Sequence, residues 1–98
     1  MAIETSLTVQ RWAEETFGPV KDMSDLVRRV RLELDELEEA VRLGNLAEIG
    51  PEAADVAILL HRLAALYGTD LADEVDTKMK INRGRRWVAD GSGTGRHV

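Results

Sequence analysis

Hydrophobic residues recur at helical intervals along most of the chain, and turn residues divide this pattern into segments. The first segment stops at Gly18-Pro19, a pair that does not continue a helix. The second lies between Ser24, an N-cap residue, and Gly44, which suits a left-handed C-cap. These signals and those farther along predict helices over about residues 6–17, 24–43, 51–67 and 71–86.

The last two helices are bounded by a proline and a short turn. Pro51 is favourable in a first helical turn, which places the start of the third helix there. Gly68 ends it, and Thr69 or Asp70 caps the fourth helix. Because no segment alternates like a strand and the connections are short, the sequence predicts an all-α fold, a small antiparallel bundle of about four helices. Residues 1–87 form this domain, and the glycine-rich segment 88–98 is expected to be a loop or tail.

The second helix carries one apolar stripe at alternating steps of three and four residues, which predicts a face directed at the core. Its members are Val27, Val30, Leu34, Leu37 and Val41.

The third helix is apolar on two sides. Ile58 and Ala65 point away from the stripe around Val56, and one small domain does not easily cover both sides. We therefore expect a homo-oligomer, a dimer or a tetramer, with this helix near the interface. The alternative is that the first helix or the tail covers the second side. His61 lies on that side and is expected to be packed or interfacial rather than catalytic.

The amino-acid composition argues against several kinds of protein and several kinds of binding site. The 98 residues are 44% hydrophobic and 32% charged, which suits one folded domain. A net charge of -5 disfavours nonspecific binding to nucleic acid or to an anionic membrane. The absence of cysteine excludes disulfides and thiolate metal sites. Without a signal pattern or an apolar run near the roughly 20 residues that span a bilayer, we expect a soluble, cytoplasmic protein.

Acidic residues are paired at i, i+3 in the second and third helices. At about 100° per residue, Glu33 and Glu36 lie about 60° and 120° from Val30, at the border of the apolar stripe. Glu52 lies near the centre of the next helix's stripe, and Asp55 lies on its flank.

Two interpretations of these acids are open. Each acid alone is explained as solvated helix surface, and those in a first turn are also favoured by the helix dipole. Four carboxylates that converge from two packed helices, however, repel one another and lose hydration unless a cation neutralises them. Oxygen ligands of this kind suit Mg2+ or Mn2+ rather than zinc.

Basic and amide side chains gather at the end of the fourth helix. Lys78 and Asn82 are spaced i, i+4, and Arg85 extends the same edge. They are explained either as a solvated helix end favoured by the dipole or as donors to phosphate oxygens near a metal. The second interpretation, joined to the acids, describes a site for a metal–nucleotide complex. No Walker motif is present.

Together these motifs resemble the MazG-type all-α nucleoside triphosphate pyrophosphohydrolases over about residues 27–87. The elements that carry the resemblance are Glu33-x-x-Glu36, Glu52-x-x-Asp55, the turn Gly68-x-Asp70-Leu71, and Lys78-x-x-x-Asn82 followed by Arg85-Arg86-Trp87.

The resemblance implies an Mg2+-dependent enzyme that splits (d)NTP between its α and β phosphates into (d)NMP and pyrophosphate. It implies that Glu33, Glu36, Glu52 and Asp55 are metal ligands, one of which also orients the attacking water. Lys78 and Asn82 would then bind on the phosphate side, with Arg85 beside them, and the enzyme would be an oligomer.

One position departs from the family pattern, because Leu32 stands where the first acidic motif often has a second glutamate. In the leading helix, Trp12 and Phe17 either pack in the core, which is the favoured interpretation, or stack on a nucleobase.

A different class of function is also open. The basic segment 78–87 could serve a small helical nucleic-acid-binding or regulatory module. The net acidity argues against it, because an electrostatic footprint for nucleic acid normally extends over a whole face.

Overall fold

The computed structural model describes residues 3–98, and the predicted all-α fold with four helices is confirmed. Two very short strands follow the helices. The elements are α1 (Ser6–Phe17), α2 (Met23–Arg42), α3 (Leu46–Leu66), α4 (Leu71–Arg83), β1 (Trp87–Val88) and β2 (Arg96–His97).

Side-chain caps define three of the helix starts. Thr5 caps α1 in a reciprocal pair with Thr8, whose hydroxyl accepts from the Thr5 amide. Asp22, and not the predicted Ser24, caps α2, because its carboxylate accepts from the Ser24 amide. Asp70 caps α4, as predicted, by accepting from the Ala72 amide.

The start of α3 was predicted five residues too late. The helix begins at Leu46, with Asn45 in the cap position, and Pro51 lies inside it. Pro51 is the sixth residue of α3, so it lies beyond the first amides of the helix, which have no intrahelical acceptor. This early in the helix, Pro51 removes only one backbone hydrogen bond, the one to the carbonyl of Ala47.

The inward face of α2 also differs from the prediction. Leu26, Glu33 and Ala40 are buried, whereas three members of the predicted stripe are largely exposed. The true inward face lies about 100° around the helix from the exposed residues and about 80° from the centre of the predicted stripe, so Glu33, at the border of that stripe, is central. A seven-residue repeat is present on both faces, and the period alone does not select between them. The exposed residues, called the α2 outer stripe below, are Val27, Leu34 and Val41.

Helix α3 is the centre of the packed part, which we call the body and which comprises α1, α2 and α3. It packs along both α1 and α2, and it touches α4 over only a short stretch. The buried apolar side chains are Ala13, Leu26 and Ala40, a small core for a chain of this length. Among the described residues, no helix is long and apolar enough to cross a membrane.

A buried serine joins α1 to both α3 and α4. Ser6 is fully buried, and its Oγ lies 2.8 Å from His61 Nδ1 and accepts from the Leu71 amide at 2.8 Å. Its own amide donates to Asp70 Oδ2 at 3.1 Å. This hydrogen bond from Ser6 is the main reason that the pKa of Asp70 is lowered, and the amides of α4 add to it.

Residues 87–98 form a hairpin, although no strand period marks them in the sequence. Trp87 pairs with His97, and Val88 pairs with Arg96 in an antiparallel register. The indole of Trp87 donates to the Asn82 carbonyl at 2.7 Å, which holds the hairpin to the end of α4. We call α4 and the hairpin together the arm.

A single copy of the chain is less compact than a typical globular domain of the same length. Its radius of gyration is 15.7 Å, against about 13 Å for a globular domain of this size. Its accessible surface is 7578 Å², whereas a monomer of this mass exposes about 5,600 Å². Roughly 2,000 Å² more surface than expected is therefore in contact with solvent.

Candidate functional site

The acids of α2 and α3 meet at one place on the body. Glu33, Glu36 and Glu52 each bring a carboxylate oxygen within 4.8 Å of the other two. Glu33 is buried, Glu52 is half-buried and Glu36 is exposed, so the cluster opens to solvent on one side. We call these three residues the acidic cluster. The two helices thus bring together three of the four acids that the sequence singled out.

Two oxygens of the cluster are buried without a hydrogen-bond donor. Glu33 Oε1 accepts from Arg29 Nη2 at 2.8 Å, which leaves Oε2 buried and without a partner in the described part of the chain. Glu52 Oε2 is also buried and without a hydrogen-bond partner in the described part of the chain. An unsatisfied buried acceptor costs about 1–3 kcal/mol, and more when it is charged. A cation between the two helices would satisfy both oxygens.

The donor set fits a small, hard cation. In an octahedral Mg2+ site the ligand oxygens lie about 2.1 Å from the ion, so any two are at most about 4.2 Å apart. Oxygens within 4.8 Å of one another need only small side-chain rotations to reach that geometry. The exposed Glu36 has the freedom to make them, and carboxylate oxygens are the ligands that Mg2+ and Mn2+ prefer.

Asp55, the fourth predicted ligand, stands beside the acidic cluster rather than in it. It lies one turn after Glu52 on α3 and is exposed. Together with Glu33 it lines a cavity of about 460 Å³, which we call the acidic cavity.

The predicted phosphate-side residues lie on the arm. Lys78 and Arg85 are exposed, and Asn82 is half-buried with an Oδ1 that lacks a donor among the described residues. None of the three lines the acidic cavity. Because α4 leaves α3 after a short contact, a single copy of the described chain does not bring these residues to that cavity.

Two arginines that the sequence did not single out line the acidic cavity instead, Arg29 and Arg62. Arg62 is only 6% exposed, and its guanidinium donates to Gln10 Oε1 and to the Gly18 carbonyl, both at 2.9 Å. These bonds fix the orientation of a group well suited to phosphate. The i, i+4 spacing of Arg29 and Glu33 was a visible signal, but the partners of Arg62 are tens of residues away in sequence.

A second cavity, of about 490 Å³, lies between α1 and α3. It shares Trp12 and Ile58 with the acidic cavity, so the two adjoin across these side chains. We call it the apolar cavity. Trp12 and Phe17 form an edge-to-face pair with centroids 5.5 Å apart. They are 55% and 68% exposed, so the expectation that both pack in the core is wrong for a single copy.

The chain is similar to two curated phage proteins, both named dATP/dGTP diphosphohydrolase. It is 39% identical to the protein of Salmonella phage PMBT28 over 90 residues, which cover 92% of this chain and 29% of the relative. It is 43% identical to the protein of Cyanophage S-2L over 47 residues, covering 48% of this chain and 45% of the relative. The chain thus spans less than half the length of either relative. No family model matches, and no solved structure matches.

Proposed function

We propose that this chain is an Mg2+-dependent nucleotide pyrophosphohydrolase of the MazG type, which cleaves (d)NTP into (d)NMP and pyrophosphate in the cytoplasm. The observation that carries the proposal is the acidic cluster, with its two buried carboxylate oxygens that lack donors. Repulsion among three carboxylates makes this arrangement costly without a bound cation. The similarity to two dATP/dGTP diphosphohydrolases supports nucleoside triphosphates as the substrates.

Glu33, Glu36 and Glu52 would hold the ion, with Asp55 beside them. When bound, the ion supplies charge neutralisation for the phosphates and acidifies a coordinated water. Arg29 and Arg62 bind non-bridging phosphate oxygens on the wall of the acidic cavity. Asp55 orients the attacking water and accepts its proton. The water oxygen forms the new bond to the α phosphorus, the bond from that phosphorus to the oxygen bridging the α and β phosphates breaks, and pyrophosphate leaves with the bridging oxygen and the electron pair.

The substrates that we propose are dATP and dGTP, which the names of both relatives contain. A deoxypurine nucleotide fits the layout of the body, because the apolar cavity adjoins the acidic one. The phosphates belong beside the charged residues, and the base belongs against the apolar wall.

We also propose that the enzyme is a homo-oligomer. The roughly 2,000 Å² of excess exposed surface is the amount that obligate homo-oligomer interfaces remove from water. The α2 outer stripe and the apolar side of α4, with Val75 and Met79 at 51% and 38% exposure, supply apolar contact surface. In such an assembly α4 packs on a neighbouring copy, and the phosphate-side residues Lys78, Asn82 and Arg85 reach the nucleotide there.

The test is a panel of the four dNTPs and four NTPs, with products resolved by chromatography. We expect (d)NMP and pyrophosphate in the presence of Mg2+ or Mn2+, no cleavage in EDTA, and recovery when Mg2+ is restored. The deoxypurine triphosphates should be the best substrates.

Two results would contradict the proposal. Production of NDP and phosphate would place the cleavage at the wrong bond. If no nucleotide is cleaved and the chain instead retards DNA with a steep salt dependence, the basic segment 78–87 serves nucleic acid binding.

A further inference from the structure

A hydrogen bond inside the body determines which nitrogen of His61 carries a proton. Ser6 Oγ accepts from the Leu71 amide, which can only donate. Ser6 is fully buried, and the remaining partner of its hydroxyl in the described chain is His61 Nδ1, at 2.8 Å. The hydroxyl proton therefore points to Nδ1, which acts as the acceptor. The neutral imidazole then carries its own proton on Nε2.

That N–H group lies on the edge of the ring away from Ser6. His61 lines the cavity, whereas Ser6, which holds the opposite edge of the ring, does not. Among residues 3–98, Nε2 has no hydrogen-bond partner of its own. The other two polar residues of the lining are bonded to each other, because the Thr8 hydroxyl donates to Glu4 Oε1 at 2.8 Å. His61 thus contributes an unused donor to a wall whose other polar residues, Glu4 and Thr8, are bonded to each other.

We propose that the apolar cavity is the subsite for the base, and that His61 Nε2–H donates to N7 of a purine. This inference rests on the proposed function and adds the residue that selects the base. N7 is an acceptor in both adenine and guanine, whereas the groups at position 6 differ, a donor in adenine and an acceptor in guanine. A single donor to N7 therefore accepts both purines and offers pyrimidines no equivalent partner.

The dimensions agree with one nucleotide across both cavities. His61 and Asp55 are six residues apart on α3, which corresponds to about 9 Å along the helix axis and about 120° around it, so the nucleotide curves around α3 from one cavity to the other. Trp12 borders both cavities, and its exposed indole provides a ring to cover the base at the point where they meet. The wall behind the base is aliphatic and small, with Val9, Ala54, Ala57 and Ile58.

The test compares dGTP and dATP with their 7-deaza analogues, in which a C–H replaces N7 and every other group is kept. For the wild-type oligomer with Mg2+, we expect kcat/KM for each analogue to be about tenfold lower than for its parent, the effect of one lost hydrogen bond. Equal rates for parent and analogue would overturn the assignment.

Two variants of His61 distinguish the loss of the Nε2–H donor from the loss of the hydrogen bond between Nδ1 and Ser6. In His61→Asn, the amide oxygen can replace Nδ1 as the acceptor for Ser6, but nothing replaces Nε2. We expect the parent substrates to fall to the rate of the 7-deaza analogues, so that the ratio becomes about one. His61→Gln places an amide near the position of Nε2 and should restore part of the ratio. His97→Asn in the hairpin is the control and should leave the ratio unchanged.

The alternative occupant of the apolar cavity is a second copy of the chain. If the analogues are cleaved as fast as their parents and His61→Asn lowers the mass of the oligomer, the cavity is an interface and the assignment is wrong. In that result nucleotides are still cleaved, so the proposed function stands. If no nucleotide is cleaved under any condition, both the function and the base subsite are wrong.

Discussion

The body and the arm are built from similar amphipathic helices, but among the described residues only the body has buried side chains. In the body, α3 is flanked on both sides, and the acidic cluster sits where α2 and α3 pack together. In the arm, no residue of α4 is buried, and the hairpin is exposed along both strands. The difference shows that an apolar stripe does not by itself identify what covers it.

The residues of the proposed site are also divided between the body and the arm. The proposed metal ligands, Arg29 and Arg62 are positioned within one copy, because the packing of α2 on α3 fixes their distances. Lys78, Asn82 and Arg85 are on the arm, so their part in the proposed site depends on the proposed assembly. Breaking the interface should therefore affect the two groups of residues differently.

The largest effect is expected from Leu34→Glu in the α2 outer stripe. A charge in the middle of an apolar interface leaves a desolvated carboxylate without a partner, so the oligomer should dissociate to a chain of 10.9 kDa. Light scattering at micromolar concentration measures the mass, and nucleotide cleavage should fall with it.

Leu43→Glu is the matched control, because Leu43 is also exposed but lies nine residues from Leu34, on the opposite side of α2. It should leave both mass and activity unchanged. An oligomer of unchanged mass in Leu34→Glu would show that the outer stripe is not the interface.

An intermediate effect is expected from Ser6→Ala, which removes the side-chain hydrogen bonds of Ser6 that join the body to the arm. The change removes the acceptor of the Leu71 amide and the donor to His61, and we expect a loss of about 1–3 kcal/mol in the free energy of unfolding. Denaturant melts measure this loss, and hydrogen exchange should locate faster opening at the start of α4.

Ser24→Ala is the control for that change, since the Ser24 hydroxyl bonds to Asp22 on the surface. Its cost should be below about 0.5 kcal/mol. Equal losses in the two variants would mean that the buried serine does not hold the arm.

The smallest effect is expected from a change of Asp70, at the same junction, and it is a pH-dependent effect on the stability of the fold. The hydrogen bond from the Ser6 amide, with those of α4, lowers the pKa of Asp70 in the folded chain. A carboxylate with a lowered pKa stabilises the fold above the pKa of the unfolded chain, about 3.9, and loses this contribution as the pH falls through the folded value.

Asp70→Asn should therefore melt below wild type at pH 7, and the difference should shrink as the pH falls below about 4. Asn keeps the size and can still accept one capping bond, so the effect is smaller than that of Ser6→Ala. A melting difference that is constant between pH 7 and pH 3 would show that the charge of Asp70 is irrelevant to the junction.

Much of this fold follows from local signals in the sequence. The ends of α1 and the cap of α4 were predictable because Gly18-Pro19 and Asp70 act within a few residues. The start of α3 was not, because Pro51, of a residue type favourable in a first turn, lies in the second turn of this helix. The inward face of α2 was not predictable either, since Leu26 and Val27 begin equally regular stripes and only packing on α3 selects one.

The candidate site, like the fold, could be predicted from the sequence only in part. The i, i+3 spacing of the acids placed Glu33, Glu36 and Glu52 on facing helices, and the structure brings these three together. Arg62 could not be found from spacing, because its partners Gln10 and Gly18 come from α1 and its end. The hydrogen bond between Ser6 and His61 likewise joins residues 55 positions apart, so it depends on tertiary packing alone.

The central claim is that carboxylates of α2 and α3 form a metal site, and Mn2+ binding followed by electron paramagnetic resonance tests it most directly. We predict that the wild-type chain binds Mn2+ and that Mg2+ displaces it. Glu52→Gln, which removes a charge and an orphaned oxygen, should abolish binding and leave the metal-free fold at least as stable, because repulsion in the cluster is relieved. Glu38→Gln, on the exposed side of α2, should bind as wild type does. If Glu52→Gln binds Mn2+ as tightly as wild type, the acidic cluster is not the metal site and the account is wrong.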